Sequence, residues 1–368
     1  VTRLAVLAAT SGHSGVDRIL GNLLPAIAAR GIFVDLLQVR GHGPLLEPRD
    51  NLRLIDLGGA HVATALPGLV RYLRRERPEV LLTDKDRVNR MAILATRLAR
   101  VPLRHYVRLG THVSTNLRRR GRLEAWRQRR SIRRLYPRAS GVLVPSQGVA
   151  DDLAGLMGGH GSIHVVPSPI VRDDLEALAG APVRPLWPEP AEGPLIVAIG
   201  ELSSRKDHAT LLRAFARVRA QRPCRLLILG EGRQRANLEA LATQLGIDTD
   251  LRLPGFVANP YPYLAQADVL AHSARWEGMG IVLVEALALG KPVVSTDCPS
   301  GPREVLAGGQ LGGLVPVGDD VALAQAIQLT LDGHTPDAQT LRRAAEPYRV
   351  RRSVDIHLAT MQISPGNP

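Results

Sequence analysis

No apolar run in the 368-residue sequence approaches the roughly 18 residues that a membrane-spanning helix requires, so any membrane contact is expected to be peripheral. Cysteine is scarce. Cys224 and Cys298 lie in apolar, strand-like contexts and read as buried thiols rather than a disulfide or metal pair, which suits the cytoplasm. The opening VTRLAVLAAT enters a strand pattern directly, without a basic n-region or a cleavable apolar segment, and a cytoplasmic protein is expected. Acidic residues and histidines do not cluster at ligand spacing, so neither a metal nor a cofactor is expected. No recognised nucleic-acid motif accompanies the basic residues, and nucleic acid is not an expected partner.

Charge of one sign dominates only half of the chain. Residues 1–180 carry 28 Lys and Arg against 15 Asp and Glu, whereas the remainder is balanced at 19 against 19, so the whole net charge of +13 belongs to the first half. Ten of these cations crowd between Arg118 and Arg138, with Glu124 as the single acid. Leu123, Trp126, Ile132, Leu135 and Tyr136 are interleaved with them. A basic stretch with apolar anchors suits an anionic membrane surface, and Trp126, Arg127, Arg129, Arg130, Arg133 and Arg134 are its expected contacts. A plain solvated basic helix is the alternative.

The most informative stretch is Ser273 to Pro299, SARWEGMGIVLVEALALGKPVVSTDCP. It reads as a loop with Glu277, a turn at Gly278 and Gly280, an apolar helix from about Ile281, a stop at Gly290 and a strand to Thr296. Glycine at a helix mouth admits another molecule to free backbone N–H groups, and the helix dipole favours an anion there. Glu277 and Glu285 flank that mouth, where carboxylates accept hydrogen bonds from hydroxyls. A phosphate beside hydroxyls describes a nucleotide sugar.

The run EGMGIVLVEALALGKPVVSTDCPSGPREVL resembles the E-x7-E signature of the retaining GT-B glycosyltransferases, family 4, of the kind that serves bacterial lipopolysaccharide and polysaccharide synthesis. The resemblance is detailed over residues 195–330 and looser before them. It implies an α/β fold of two Rossmann-like domains facing a central cleft. It also implies transfer from a nucleotide-diphosphate sugar, UDP-linked, to a lipid-linked or glycan acceptor at the cytoplasmic membrane face. In the resemblance, Glu277 meets the donor sugar, Glu285 the ribose, the N–H groups of Gly280 and Ile281 the diphosphate, and the backbone at Val257 the base. Lys206 falls where the family has its phosphate-binding lysine. Glu201 occupies the place of the family arginine, and Arg205 is the candidate second cation. A non-catalytic scaffold that binds anionic lipid or an assembly partner is the other reading, and Glu201 is its main support.

The first half alternates strand and helix, as a parallel sheet with helices on both faces requires, and ligands then bind beyond the carboxyl ends of the strands. Gly15, in the glycine loop after the first strand, and His112, after the fifth, resemble family residues facing the transferred sugar. Asp84 and Asp86 follow the fourth strand and are candidates for acceptor hydroxyls. The expected division is a first domain over 1–180, with the basic stretch at 117–138, a proline-rich linker over 181–194, a nucleotide-sugar domain over 195–345, and a segment 346–368 returning to the first domain.

Overall fold

The computed structural model describes residues 2–12, 14–118, 120–183, 185–187 and 192–364. The chain divides into two compact units, Val1–Ile170 with Tyr348–Pro368, and Val171–Pro347. The first alternates β1 (Arg3–Ala8), α1 (Gly15–Ala28), β2 (Phe33–Gln38), β3 (Leu52–Asp56), α2 (Leu66–Glu76), β4 (Val80–Asp84), α3 (Asp86–Ala99), β5 (Arg104–Arg108), α4 (Val113–Arg118), α5 (Arg122–Leu135), β6 (Gly141–Val144), α6 (Gln147–Met157) and β7 (Ile163–Val165). All seven strands are parallel, in the order β3-β2-β1-β4-β5-β6-β7.

Apolar strands make this arrangement possible. In β1 and β4 every residue after Arg3 is buried, as expected where helices cover both faces of a parallel sheet. Leu20 and Leu23 of α1 pack with Leu4 and Val6 on one side; Leu69 and Leu73 of α2 pack with Ala5 and Leu7 on the other. Ile132 of α5 and Leu153 of α6 extend that second layer over Val107 and Val142. The strand order reverses between β1 and β4, where Ala8 pairs with Asp84, and this crevice is the usual ligand position of an open α/β sheet.

The second unit runs α7 (Leu175–Ala179), β8 (Leu195–Ile199), α8 (His208–Arg219), β9 (Arg225–Leu229), α9 (Arg235–Leu245), β10 (Leu251–Gly255), α10 (Tyr261–Gln266), β11 (Val269–His272), α11 (Ile281–Ala288), β12 (Val293–Thr296), α12 (Pro302–Val305), β13 (Gly313–Val315), α13 (Asp320–Leu331) and α14 (Ala338–Ala344). Its six parallel strands lie in the order β10-β9-β8-β11-β12-β13, with the reversal between β8 and β11. Phe215 of α8 and Ile327 of α13 anchor its core against Ile196 and Val269.

The division falls at Ile170/Val171, about ten residues before the expected linker. The reason is local packing: the Leu178 carbonyl of α7 accepts from Asn259 Nδ2, which ties α7 to the loop before α10. Part of the expected linker is also pinned to the second unit. The Trp187 ring lies under the guanidinium groups of Arg225 and Arg252, at 5.3 and 5.1 Å, and Leu186 O accepts from Arg252 Nε. Residues 184 and 188–191 of that segment lie outside the described residues.

The chain ends as α15 (Val350–Thr360) back on the first unit. Val354, Leu358, Met361 and Ile363 join the cluster around Leu4, and Ser353 Oγ donates to Pro167 O.

Candidate functional site

The carboxyl ends of β8, β9 and β10 carry loops in close mutual contact. Gly200 N donates to Leu229 O, Leu202 N to Glu231 O, and Gly230 N to Gly255 O. A Cβ on Gly230 would lie 2.0 Å from Gly200 O, and one on Gly232 would lie 2.3 Å from Leu202 O. The two glycines of the Gly230-Glu231-Gly232 turn are therefore required by backbone approach alone. Glu201, the residue in the family arginine's place, is solvent-exposed.

The far end of the loop after β8 is zipped to the loop after β11. Ser273 Oγ donates to Lys206 O at 2.9 Å, Arg275 N to Arg205 O at 2.8 Å, and the Arg275 guanidinium pairs with Asp207 at 2.9 Å. Asp207, at φ 49°, also accepts from Thr210 Oγ1. This zip brings Arg205 and Lys206 against Glu277. Lys206 Nζ donates to Glu277 Oε1 at 2.5 Å, an Arg205 nitrogen stands 2.9 Å from the same oxygen, and His272 Nε2 lies 3.3 Å from it. All three contacts end on Oε1. Among the described residues no hydrogen bond ends on Glu277 Oε2.

The electrostatics follow from burial and charge. Burial pushes the Glu277 carboxyl up, but Lys206, Arg205 and the His272 bond outweigh it and hold the group well below the usual carboxylate range. Burial is the largest influence on His272 and lowers it, against an upward pull from Glu277. Its Nδ1 lies 2.9 Å from Ser295 Oγ, so a neutral ring that donates from Nε2 to Glu277 competes with Thr296 O, at 3.0 Å, for the serine's single hydroxyl proton. His272 was not among the residues singled out from the sequence. Its neighbours Ala271 and Ser273 mark only the end of a strand, and no spacing pattern connects it to Glu277.

Gly280 caps α11 at φ 81°, a conformation that favours glycine; Leu283 N donates to Gly280 O, while the N–H groups of Ile281 and Val282 precede the helix's own bonds. Glu285 sits one turn on, is 1% exposed, and accepts from Tyr261 OH at 3.0 Å. Val257 is half-buried immediately after β10. The second unit thus gathers Arg205, Lys206 and Glu277 at the ends of β8 and β11, with the α11 mouth following the loop that carries Glu277. Among the described residues no group of three or more His, Cys, Asp and Glu side chains is placed to hold a metal.

In the first unit the predicted residues divide. Gly15 opens α1, where Ser14 and Asp17 form a capping box. His112 is partly buried, with Nδ1 3.1 Å from Thr115 Oγ1 and 3.4 Å from Asp152. Asp84 and Asp86, expected to face acceptor hydroxyls, are committed within the unit instead. Asp84 is 2% exposed and paired with the buried Arg108 at 2.5 Å. Asp86 accepts from Arg90, Gln128 and Tyr136, which ties α5 to α3. A carboxylate whose oxygens already receive charged or phenolic donors is a structural clamp.

The basic stretch is α5. Arg127, Arg129, Arg130, Arg133 and Arg134 are exposed, and Arg130 stacks 5.6 Å from the centre of the Trp126 ring. Two of the expected apolar anchors turn inward: Ile132 and Tyr136 are 0% and 1% exposed and belong to the core. Leu123 and Trp126 face outward at 59% and 57%. No helix among the described residues is long and apolar enough to cross a membrane.

Comparison with known proteins bears on the family and the fold. A family model described as "Glycosyl transferases group 1" matches residues 184–347, and one described as "Glycosyl transferase 4-like domain" matches 14–169. The N-acetylgalactosamine-N,N'-diacetylbacillosaminyl-diphospho-undecaprenol 4-alpha-N-acetylgalactosaminyltransferase of Campylobacter jejuni is 31% identical over 226 residues, 59% of this chain and 60% of that protein. The lipopolysaccharide core biosynthesis glycosyltransferase LpsE of Rhizobium meliloti is 37% identical over 139 residues, 38% of this chain and 40% of that protein. The chain thus spans about two fifths to three fifths of these two relatives' lengths. Among solved structures, the apo lipopolysaccharide outer core galactosyltransferase WaaB superposes with a TM-score of 0.73 at 17% identity, covering 98% of this chain and 99% of that one. Anabaena Alr3699/HepE in complex with UDP-glucose gives 0.78 at 19%, covering 98% and 100%. At such identities the superpositions speak for the fold. With the two family models accounting for most of its length, the chain belongs to the group 1 glycosyl transferases and has the two-domain α/β GT-B fold.

Proposed function

We propose that the protein is a retaining glycosyltransferase that moves a sugar from a nucleotide-diphosphate donor, a UDP-sugar, to a lipid-linked or polysaccharide acceptor at the cytoplasmic membrane face. The observation that carries this reading is the asymmetric Glu277 carboxylate. One oxygen is fixed by Lys206, Arg205 and His272, and the other remains open to a sugar hydroxyl. Glu285 would take the ribose hydroxyls, and the Gly280 and Ile281 amides the diphosphate, with the base held by backbone at Val257. As the glycosidic bond breaks, negative charge grows on the leaving diphosphate, and Lys206, Arg205 and the α11 amides would stabilise it without a metal. The leaving phosphate would then deprotonate the acceptor hydroxyl on the face it departs from, which retains configuration. A hydrolase of plain glycosides has no use for a phosphate site, and its two carboxylates flank the scissile bond.

Glu201 favours the scaffold reading, and the position of Arg205 beside Lys206 weighs against it, because two cations stand on the same carboxylate without the family arginine. UDP complexes of the fold neighbours and the diphospho-undecaprenol substrate in the Campylobacter relative's name support the choice of donor and acceptor class. The test is a mass-spectrometric screen of nucleotide sugars, with and without a chelator, for binding and slow hydrolysis. One UDP-sugar turned over in the presence of chelator, with the released sugar first appearing as the α-anomer from an α-linked donor, is expected. Binding of none of them would leave the scaffold reading.

A further inference from the structure

The Asp84-Lys85-Asp86 stretch closes β4 at the reversal point of the first sheet, next to the end of β1. With both carboxylates bound to Arg108 and to Arg90, Gln128 and Tyr136, the polar group left over is Lys85. Lys85 is half-buried, and its ammonium makes no hydrogen bond or ion pair among the described residues. Its backbone, at φ 79° and ψ 133°, occupies a region that glycine enters readily and other residues resist. That conformation is held from both sides. Lys85 N donates to Asp84 Oδ1 at 2.7 Å, Lys85 O accepts from Asn89 N at 2.9 Å, and Asp84 is locked in turn by Arg108, which also reaches Ser168 Oγ at 3.1 Å.

Charge at the site is uneven for the same reason. Asp84 is neutralised by Arg108 and Asp86 by Arg90, while Lys85 and Arg87 have no acidic partner among the described residues. The use of lysine is itself selective. Lys85, Lys206 and Lys291 are the only lysines in a chain whose other basic residues are arginine. An ammonium is a compact point charge with three donors, suited to a single oxyanion.

We propose that Lys85 is an anion-binding residue of the first unit and takes a phosphate or carboxylate group of the acceptor. Strain of this kind persists where the surrounding structure over-determines it, and it concentrates at ligand sites. The reversal point of an open parallel sheet is where such a ligand binds. That the anion belongs to an acceptor rests on the transferase reading; that Lys85 binds an anion does not.

The lysine count makes the test direct. Protein labelled only at lysine with the heavy nitrogen isotope gives side-chain signals from three residues, assigned with Lys85→Gln, Lys206→Gln and Lys291→Gln. With UDP added first to fill the nucleotide site, inorganic pyrophosphate and glucuronate are titrated separately. A saturable shift of the Lys85 signal, lost in Lys85→Gln, is expected. Response to pyrophosphate alone assigns a phosphate-bearing acceptor, and response to glucuronate alone an acidic sugar. If neither moves the Lys85 signal, the proposal is wrong. Failure of UDP to move the Lys206 signal counts against the donor site only and leaves the Lys85 result standing. A second measurement addresses strain: Lys85→Gly should melt a few degrees above Lys85→Gln, because glycine relieves the conformation that glutamine retains. A lower melting temperature for Lys85→Gly would remove the strain argument.

Discussion

At the residue scale, the proposed chemistry rests on one carboxylate oxygen with three neighbours. Lys206→Ala removes the shortest of these contacts and the cation proposed to face the leaving group. Turnover should fall about 100-fold or more, roughly 3 kcal/mol in comparable electrostatic sites, with the far-ultraviolet dichroism unchanged. Near-normal turnover would refute the donor assignment. Glu285→Ala should act differently, since Glu285 is held by Tyr261 inside α11 and is proposed to meet the ribose. Calorimetry should then show weaker UDP binding; unchanged UDP affinity would rule out that role. Glu277 and Glu285 were picked out by their spacing around one helix mouth, and Lys206 by resemblance to the family's phosphate loop. His272 and Tyr261 were not, because their relation to the glutamates exists only after β11 and α10 are folded beside them.

At the scale of elements, α5 shows how far a charge pattern can be read. The run of arginines predicted an outward basic face, and the five arginines named from it are exposed. The sequence pattern did not separate anchors from core: Ile132 and Tyr136 point into the packing against α3 and α6, while Leu123 and Trp126 stay outside. Replacing Arg127, Arg129, Arg130, Arg133 and Arg134 by Gln should release the protein from anionic vesicles in a sedimentation assay while sparing UDP binding, each arginine contributing about 1 kcal/mol at low salt. Binding that is equal on neutral and anionic vesicles would argue for a soluble acceptor instead. The glycine turns show the opposite limit. Gly230 and Gly232 follow the end of β9, and their freedom from side chains is demanded by the neighbouring backbone at Gly200 and Leu202 rather than by any ligand.

At the scale of the whole molecule, buried histidines set an acid limit in both units. Burial lowers His105 to about 3 and His357 to about 4 in the first unit, and burial together with the Lys206 and His272 charges lowers His208 to about 3 in the second. These rings are neutral in the fold. As pH falls below the unfolded value of about 6.5, the unfolded chain binds protons that the folded chain refuses, so stability drops until the folded values are reached. Each ring should cost roughly 1.4 kcal/mol per pH unit across that window. Thermal melts at pH 7 and pH 5 should show a large decrease, and His105→Asn should reduce it for the first unit, with His357 supplying the remainder. A melting temperature independent of pH over this range would show that the rings protonate without opening the fold.

The sequence by itself determined two Rossmann-like alternations, a glycine-bounded helix mouth and the concentration of positive charge in the first half, because these depend on periodicity, glycine placement and composition along short stretches, whereas the E-x7-E signature and its lysine came from the resemblance to the family. Tertiary structure alone decided which residues meet. It moved the unit boundary to Ile170 by docking α7 near α10, turned Asp84 and Asp86 from ligand candidates into clamps, and left Lys85 as the uncompensated group between them. The physical reason is common to all three. Whether a charged side chain is available or already neutralised depends on partners distant in the chain, such as Arg108 for Asp84 and Tyr136 for Asp86, which only the packed sheet and helices bring within hydrogen-bonding distance.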